Sequence, residues 1–516
     1  MKPITHIGQQ FVDNLAAANT HALVLRSEEE QSEKVHVVSA GGSLTAAYEQ
    51  LRNAAEYAEE HLLLQRAIRR FYRRFFLPRD RRAAANSAEE LIVELTLAGY
   101  LPNDSLPVNL VEKINHLAVT YYDARMSFGL AKPHTDAWTL DVLAVEIESL
   151  INDSTKHDVF IQFCHNHFLE TLSEQPNVGT EQPDFSIALF VAVHRALLRS
   201  DEASIRRSLL HRYGQIPDNA ESYKATNQKL DELFASDLVE TLFRIVRRQG
   251  APFRVLWRMV SEHENLDKII VKRDEFLSAY EQQVMSEYES LSTRINKGII
   301  KSVIFLVITK FLIGVSIEVP YDLWMSHTII WLPLVINLLF PPIYMVLLRF
   351  TLMLPGEANT RAMVEAADRL FYGDEAGVSL SRRSKNSFGA AYNAVYVFFF
   401  IVVFGGVSYY LWRLGFSLLH LAIFFIFLST ASFLGFRLSR MVRDLEVVDE
   451  DQTGITTIRD FLYMPFVIVG RWISEKYTSI NIVAMVLDML IELPLKTVLR
   501  LIRQWGAFIT SKKDEL

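Results

Sequence analysis

Along this chain the spacing of hydrophobic positions changes character near residue 300. Before that point apolar residues recur at intervals of three and four. Polar positions interrupt them, as do breaks such as "LPRD", "GYLPNDSLP", "AKPHTD", "SEQPNVGTEQPD", "YGQIPDN" and "RRQGAPF". This spacing predicts one amphipathic helix after another, roughly ten between residues 40 and 298, with no convincing strand alternation. Beyond it, four stretches are apolar almost throughout, at roughly 299–319, 328–349, 394–412 and 417–436. Each has about the 20 residues that a helix needs to cross about 30 Å of hydrocarbon. "EVPYDLWMSH" joins the first two and the tight turn "RLGFS" the last two, which predicts two transmembrane hairpins.

The expected fold class is all-α. A large helical cytoplasmic domain is followed by a four-span membrane domain and by C-terminal amphipathic interfacial helices. Residues 1–40 are expected to be partly disordered, since "SEEEQSEK" offers nothing to bury. Residues 41–298 form the helical domain and end in a stalk helix. Residues 299–350 are the first hairpin, 351–393 a cytoplasmic loop with a short helix, 394–437 the second hairpin and 438–516 a cytoplasmic C-terminal region.

Local signals refine this outline. Ser43 is placed to cap a helix running to about residue 76, and Ser87 to cap the next, with Glu89 and Glu90 in its first turn. The stalk is expected to run from about Asp274 straight into the first span. Its Leu277, Tyr280, Val284, Tyr288, Leu291 and Ile295 recur at packing intervals. After the fourth span, "FLYMPFVIVGRWI" (461–473) and "INIVAMVLDMLIELPL" (480–495) are apolar but too short to cross unaided. The second carries Asp488, Glu492, Lys496 and Arg500 at four-residue spacing, one narrow charged stripe, which favours a helix lying at the membrane interface, with a re-entrant or crossing hairpin as the alternative.

Composition agrees with a chain part soluble and part membrane, 516 residues of which 50% are hydrophobic. The net charge of -7 gives no global attraction to nucleic acid. One cysteine, Cys164, excludes an internal disulfide and an all-cysteine metal cage. The opening residues lack the apolar core of a cleavable signal peptide, so the first span is expected to serve as the insertion signal.

Lysines and arginines set the expected orientation. Arg294, Lys297 and Lys301 flank the entrance of the first span; Arg349, Arg361, Arg369, Arg382, Arg383 and Lys385 lie between the hairpins; Arg437, Arg440 and Arg443 follow the fourth span. The external loops contain only Arg413, so both termini are expected in the cytoplasm of a bacterial inner (plasma) membrane. The terminal "SKKDEL" contains an endoplasmic-reticulum retrieval tetrapeptide, but a lumenal receptor reads that address, on the other side from this C-terminus.

Within the first span, "VIFLVITKFLIGV" carries Lys310 at its middle, and an ionisable group there is a functional candidate by default. In the second, Pro341 and Pro342 would leave the carbonyls of Asn337 and Leu338 without donors. Lys310 and Asn337 fall at similar depth, so the ammonium is expected to donate into that break. It would stitch the two helices, or snorkel toward the cytoplasm, or, with Asn337 and the freed carbonyls, line a polar cavity for an ion or small solute. Gly405, Gly406, Ala431 and Gly435 read as packing positions and His420 as an interfacial residue.

Two further clusters merit attention. In "RAIRRFYRRFFLPRDRR", Arg66, Arg69, Arg70, Arg73 and Arg74 share one helical face beside Ile68, Phe71, Tyr72, Phe75 and Phe76. This is the chemistry of anionic-lipid contact, or of an arginine face paired with acids of its own domain. Among His157, Cys164, His165 and His167, positions 157, 164 and 167 point within about 80–90° of each other on a helix, yet without CxxC, HExxH or a clear fourth ligand the histidines read as ordinary ones. No metal or other cofactor is expected.

Phosphate-cradling, dinucleotide and nucleophile-elbow motifs are lacking, "VVDEDQTG" is too short in acidic ligands for an EF-hand loop, and no nucleic-acid module is recognisable. The sequence therefore favours a non-catalytic multi-pass membrane protein whose helical domain binds a protein partner or organises the membrane surface, alone or as a homo-oligomer. The alternative is an ion channel or small-solute transporter with its polar element at Lys310, Asn337 and Pro341 and the helical domain as regulator.

Overall fold

The computed structural model describes residues 3–37, 62–76, 80–128, 133–173, 179–214, 217, 219–352, 354–373, 390–447, 463–474 and 476. Among these residues the regular structure is helical and there is no strand; an isolated bridge pairs Lys34 with Pro107. The chain divides into two compact units. One holds His6–Arg247 with His263–Lys268, the other Arg248–Glu262 with Ile269–Ile480.

In the first unit, the opening segment differs from expectation, because His6–Gln31 is a helix. Ile7, Phe11, Leu15 and Ala18, at spacings of three and four, are buried, and the Phe11 ring lies 4.4 Å from that of Phe163 in the helix Thr155–Ser173. That stripe lies upstream of the polar run from which disorder was expected. Ser87 precedes the helix Ala88–Leu97, but its hydroxyl donates back to the Ala84 carbonyl at 2.8 Å. The Ala88 N–H is capped instead by Asn115 Oδ1 at 3.0 Å, a long-range substitute that local spacing cannot reveal. Ser43 lies outside the described residues.

The same unit buries a guanidinium. Arg206, 2% exposed, donates to Asn227 Oδ1 at 2.9 Å, to the Asn227 carbonyl at 3.3 Å and to Asp231, and stands over the Phe234 ring. Asp231 also accepts from Trp138 Nε1 at 3.0 Å, and Tyr223 donates to the Trp138 carbonyl at 2.6 Å. One arginine thus closes three helices, Pro133–Trp138, Glu202–Arg212 and Ala220–Phe234, around a satisfied polar centre.

The second unit contains four helices long and apolar enough to cross a membrane: Arg273–Ser326, Trp331–Phe350, Tyr396–Arg413 and Leu418–Arg443. The first begins far upstream of the hydrocarbon. Its Phe276, Tyr280, Val284, Leu291 and Ile295 are buried. Tyr280 donates to the Pro252 carbonyl at 3.0 Å, Asn359 to the Tyr288 hydroxyl at 2.8 Å, and Arg273 forks onto Asp368 at 2.7 and 2.9 Å. The stalk stripe therefore packs on Ala251–Glu262 and on Glu357–Tyr372, the short helix between the hairpins.

The fourth span is the inner one, with 56% of its apolar stretch buried against 6% for the third. Gly435 lets it approach the second span so closely that a Cβ there would lie 2.5 Å from Leu348. Gly405 and Gly406 do not have that role within the described residues, since a Cβ on either meets nothing within 4 Å.

Residues 463–474 form a helix that packs on the third and fourth spans. Phe466 joins Leu411, Phe416, Leu421, Phe424 and Leu428 in one apolar cluster, its ring 4.8 Å from Phe404. A Cβ on Gly470 would fall 2.0 Å from the Ser429 carbonyl oxygen, level with the middle of the fourth span. The opposite side of this helix, with Ile468 and Trp472, is exposed. The stripe of Asp488, Glu492, Lys496 and Arg500 lies outside the described residues.

Candidate functional site

The first span is α-helical to Ile313, takes one π turn over Gly314–Glu318, and resumes as Val319–Ser326. In an unbroken α-helix, residues eight apart are offset by about 80° around the axis. The wider π turn takes up that offset and sets Glu318 on the face of Lys310. Their charged groups meet at 2.9 Å, with the side chains 2% and 1% exposed. The ammonium also lies 4.6 Å from the Phe427 ring centroid, over the face of the fourth span's aromatic.

Two other spans complete the arrangement. Asn337 Nδ2 donates to Glu318 Oε2 at 3.2 Å and to the His420 carbonyl at 3.3 Å. His420 Nε2 faces Asp322 Oδ1 at 3.5 Å, while Asp322 Oδ2 accepts the Ile330 N–H at 3.1 Å just before the second span. On the far side of the ring, Nδ1 is 2.9 Å from Ser417 Oγ, which accepts the His420 N–H at 3.4 Å. Lys310, Glu318, Asp322, Asn337 and His420 form one buried polar body joining the first, second and fourth spans.

That body is not internally saturated. Asp322 Oδ1, Asn337 Oδ1, His420 Nε2 and Ser429 Oγ are buried and make no hydrogen bond among the described residues. Each such atom costs on the order of 1–3 kcal/mol unless something else meets it. Two carboxylates, an ammonium, an imidazole and a carboxamide at hydrogen-bonding range can hold a cation, a water or a proton.

The sequence brought Lys310 and Asn337 together by depth, and the structure joins them through Glu318. The expected donation into a proline break is corrected, because Trp331–Thr351 is helical through Pro341 and Pro342 and the lysine turns to its own helix. Glu318 and Asp322 escaped notice because "EVPYDLWMSH" reads as a loop. Their spacing of four on one face, with Val319, Leu323 and Trp324 elsewhere, was the available signal. His420, read as interfacial, is fully buried.

The arginine helix Leu63–Phe76 buries Ile68, Phe71, Tyr72 and Phe76. Arg69 pairs with Asp141 at 2.6 Å, and Arg74 with Glu94 at 2.9 Å while lying over the Phe71 ring. Arg66 and Arg70 are partly buried on the same helix and also make contacts; Arg73 is exposed.

Of the histidine group, His165 Nε2 lies 3.0 Å from the Ser186 carbonyl, Cys164 is buried, and the His157 ring is 5.7 Å from that of His194. Burial pushes the His167 imidazole from 6.5 down to about 4. Between those values the unfolded chain holds a proton that the folded chain does not, so stability falls as pH drops through that window. The difference in stability between pH 7 and pH 4 is expected to shrink by on the order of 2–3 kcal/mol in His167→Gln. Urea unfolding of both proteins at the two pH values checks this; an unchanged difference would mean that His167 titrates normally.

No protein-family model, curated protein or solved structure matches the chain.

Proposed function

We propose that this chain is a membrane transport protein, a channel or transporter for a small ion or solute, whose polar element is the buried body of Lys310, Glu318, Asn337, Asp322 and His420. Both termini are placed in the cytoplasm of a bacterial inner membrane, and the helical domain regulates transport, where a protein partner would bind. One observation carries the reading: unsatisfied polar atoms beside an ion pair, inside the spans. A structural stitch gains from complete pairing, whereas a pathway needs atoms left over for what passes. Two members of the arginine face are paired with Asp141 and Glu94, which supports a face paired with acids of its own domain over one that contacts lipid.

The test is flux through the full-length protein in vesicles of known lipid composition. Lys310→Met is expected to change ion flux or selectivity at least tenfold in protein that remains monodisperse and helical. Lowered stability with unaltered flux would reduce the pair to a stitch and sink the proposal.

A further inference from the structure

The transport reading leaves the transported species open. Resting on that reading, we infer that the species is the proton, carried along a file of buried side chains on the inner face of the fourth span. The file begins at Ser417, His420 and Asp322 and passes Asn337, Glu318 and Lys310; further along the same span lie Ser429, whose hydroxyl has no partner among the described residues, and Ser432, whose hydroxyl donates to Tyr344 at 3.0 Å. Asn337 and Tyr344 are seven residues apart and so share one face of the second span. From His420 to Ser432 the fourth span rises about 18 Å, more than half of a hydrocarbon core of about 30 Å. His420, Ser429 and Ser432 are each fully buried.

Charge selects the proton over a metal cation or an anion. Lys310 and Glu318 cancel one another. Asp322 Oδ1 and His420 Nε2 stand 3.5 Å apart, each buried and without a hydrogen bond among the described residues, a gap across which one proton can be shared. An anion would meet the carboxylates of Glu318 and Asp322, and a metal cation would meet the Lys310 ammonium already paired with one of them. The groups facing this pair are Tyr321 on the first span, Asn337 on the second, and Phe416 and Ser417 at the head of the fourth.

The steps balance simply. A hydronium ion gives its proton to Asp322 Oδ1 and leaves as water. That proton passes to Glu318 through water held at Asn337 Oδ1 and His420 Nε2, the atoms left without partners. Each transfer breaks one O–H or N–H bond and makes another. Glu318, once neutral, releases the lysine, whose ammonium keeps its place over Phe427. Glu318 then gives its proton to a water on the far side, which leaves as hydronium, and the ion pair is restored.

The experiment places the full-length protein in vesicles loaded with a pH-sensitive dye, with a potassium gradient and valinomycin setting the interior negative. Acidification at least tenfold faster than in protein-free vesicles is expected, and Asp322→Asn is expected to abolish it. Glu318→Gln is paired with the doubly neutral Lys310→Met/Glu318→Gln, which keeps the site uncharged should the single variant fail to fold; both are expected to lose acidification. Flux of sodium, potassium, chloride or an uncharged solute with unchanged internal pH would overturn the proton assignment and leave the transport reading standing. No flux of any species through folded protein would overturn both.

Discussion

Glu318→Ala is expected to destabilise the membrane unit by about 3–5 kcal/mol, because it leaves the Lys310 ammonium buried without its counter-charge. Lys310→Ala should cost a similar amount by stranding the carboxylate. The double replacement Lys310→Met/Glu318→Leu is expected to cost far less than the sum, and a dry apolar pair of similar volume can equal the wild type. The reason lies in the burial of both partners, 2% and 1% exposed. A double-mutant cycle on thermal unfolding in detergent measures the coupling. A single-variant cost below about 1 kcal/mol, the range of exposed pairs, would mean that water reaches the pair freely.

Arg206→Met carries the second large effect, a loss of about 3–5 kcal/mol from the unit formed by His6–Arg247 with His263–Lys268. The methionine fills part of the volume beside Phe234, but Asn227 loses a charged donor and Asp231 its buried partner. Arg206→Lys should rescue little, because one ammonium cannot reproduce a planar fork that reaches Asn227 and Asp231 at once. Asp231→Asn should be milder, since that side chain is 31% exposed and keeps its bond to Trp138. Urea unfolding of the full-length chain, followed by helical circular dichroism, reads all three. Equal stability of Arg206→Lys and wild type would show that charge alone matters at this position.

Both predictions concern charges that the sequence treats unequally. Lys310 announces itself, because an ammonium amid thirteen otherwise apolar or small residues has no cheap explanation. Glu318 and Asp322 do not, because acids beside proline, tyrosine and serine are what a loop contains. The difference between loop and helix there rests on Asp322 holding the Ile330 N–H and on Glu318 meeting Lys310, contacts that exist only once the chain has folded. The four apolar stretches were legible because a membrane imposes length and composition together. The apolar length of 463–474 suits an interfacial segment and a re-entrant one alike, and the packing of Phe466 and Gly470 on the neighbouring helices is a contact that spacing alone cannot reveal. His6–Gln31 shows the converse error, in which a polar tail concealed a short, regular stripe.

The π turn has a mechanical corollary. A helix that fits an extra residue into one turn holds a length of chain in reserve, and that reserve sits between Lys310 and Glu318. Returning Gly314–Glu318 to α geometry would swing the carboxylate by about 80° around the axis and out of reach of the ammonium. Register and ion pair are therefore one variable. Because the same helix continues down to Arg273, clamped on Asp368, a twist applied at its base has a single soft turn in which to collect, and that turn is the one that opens the charged pair.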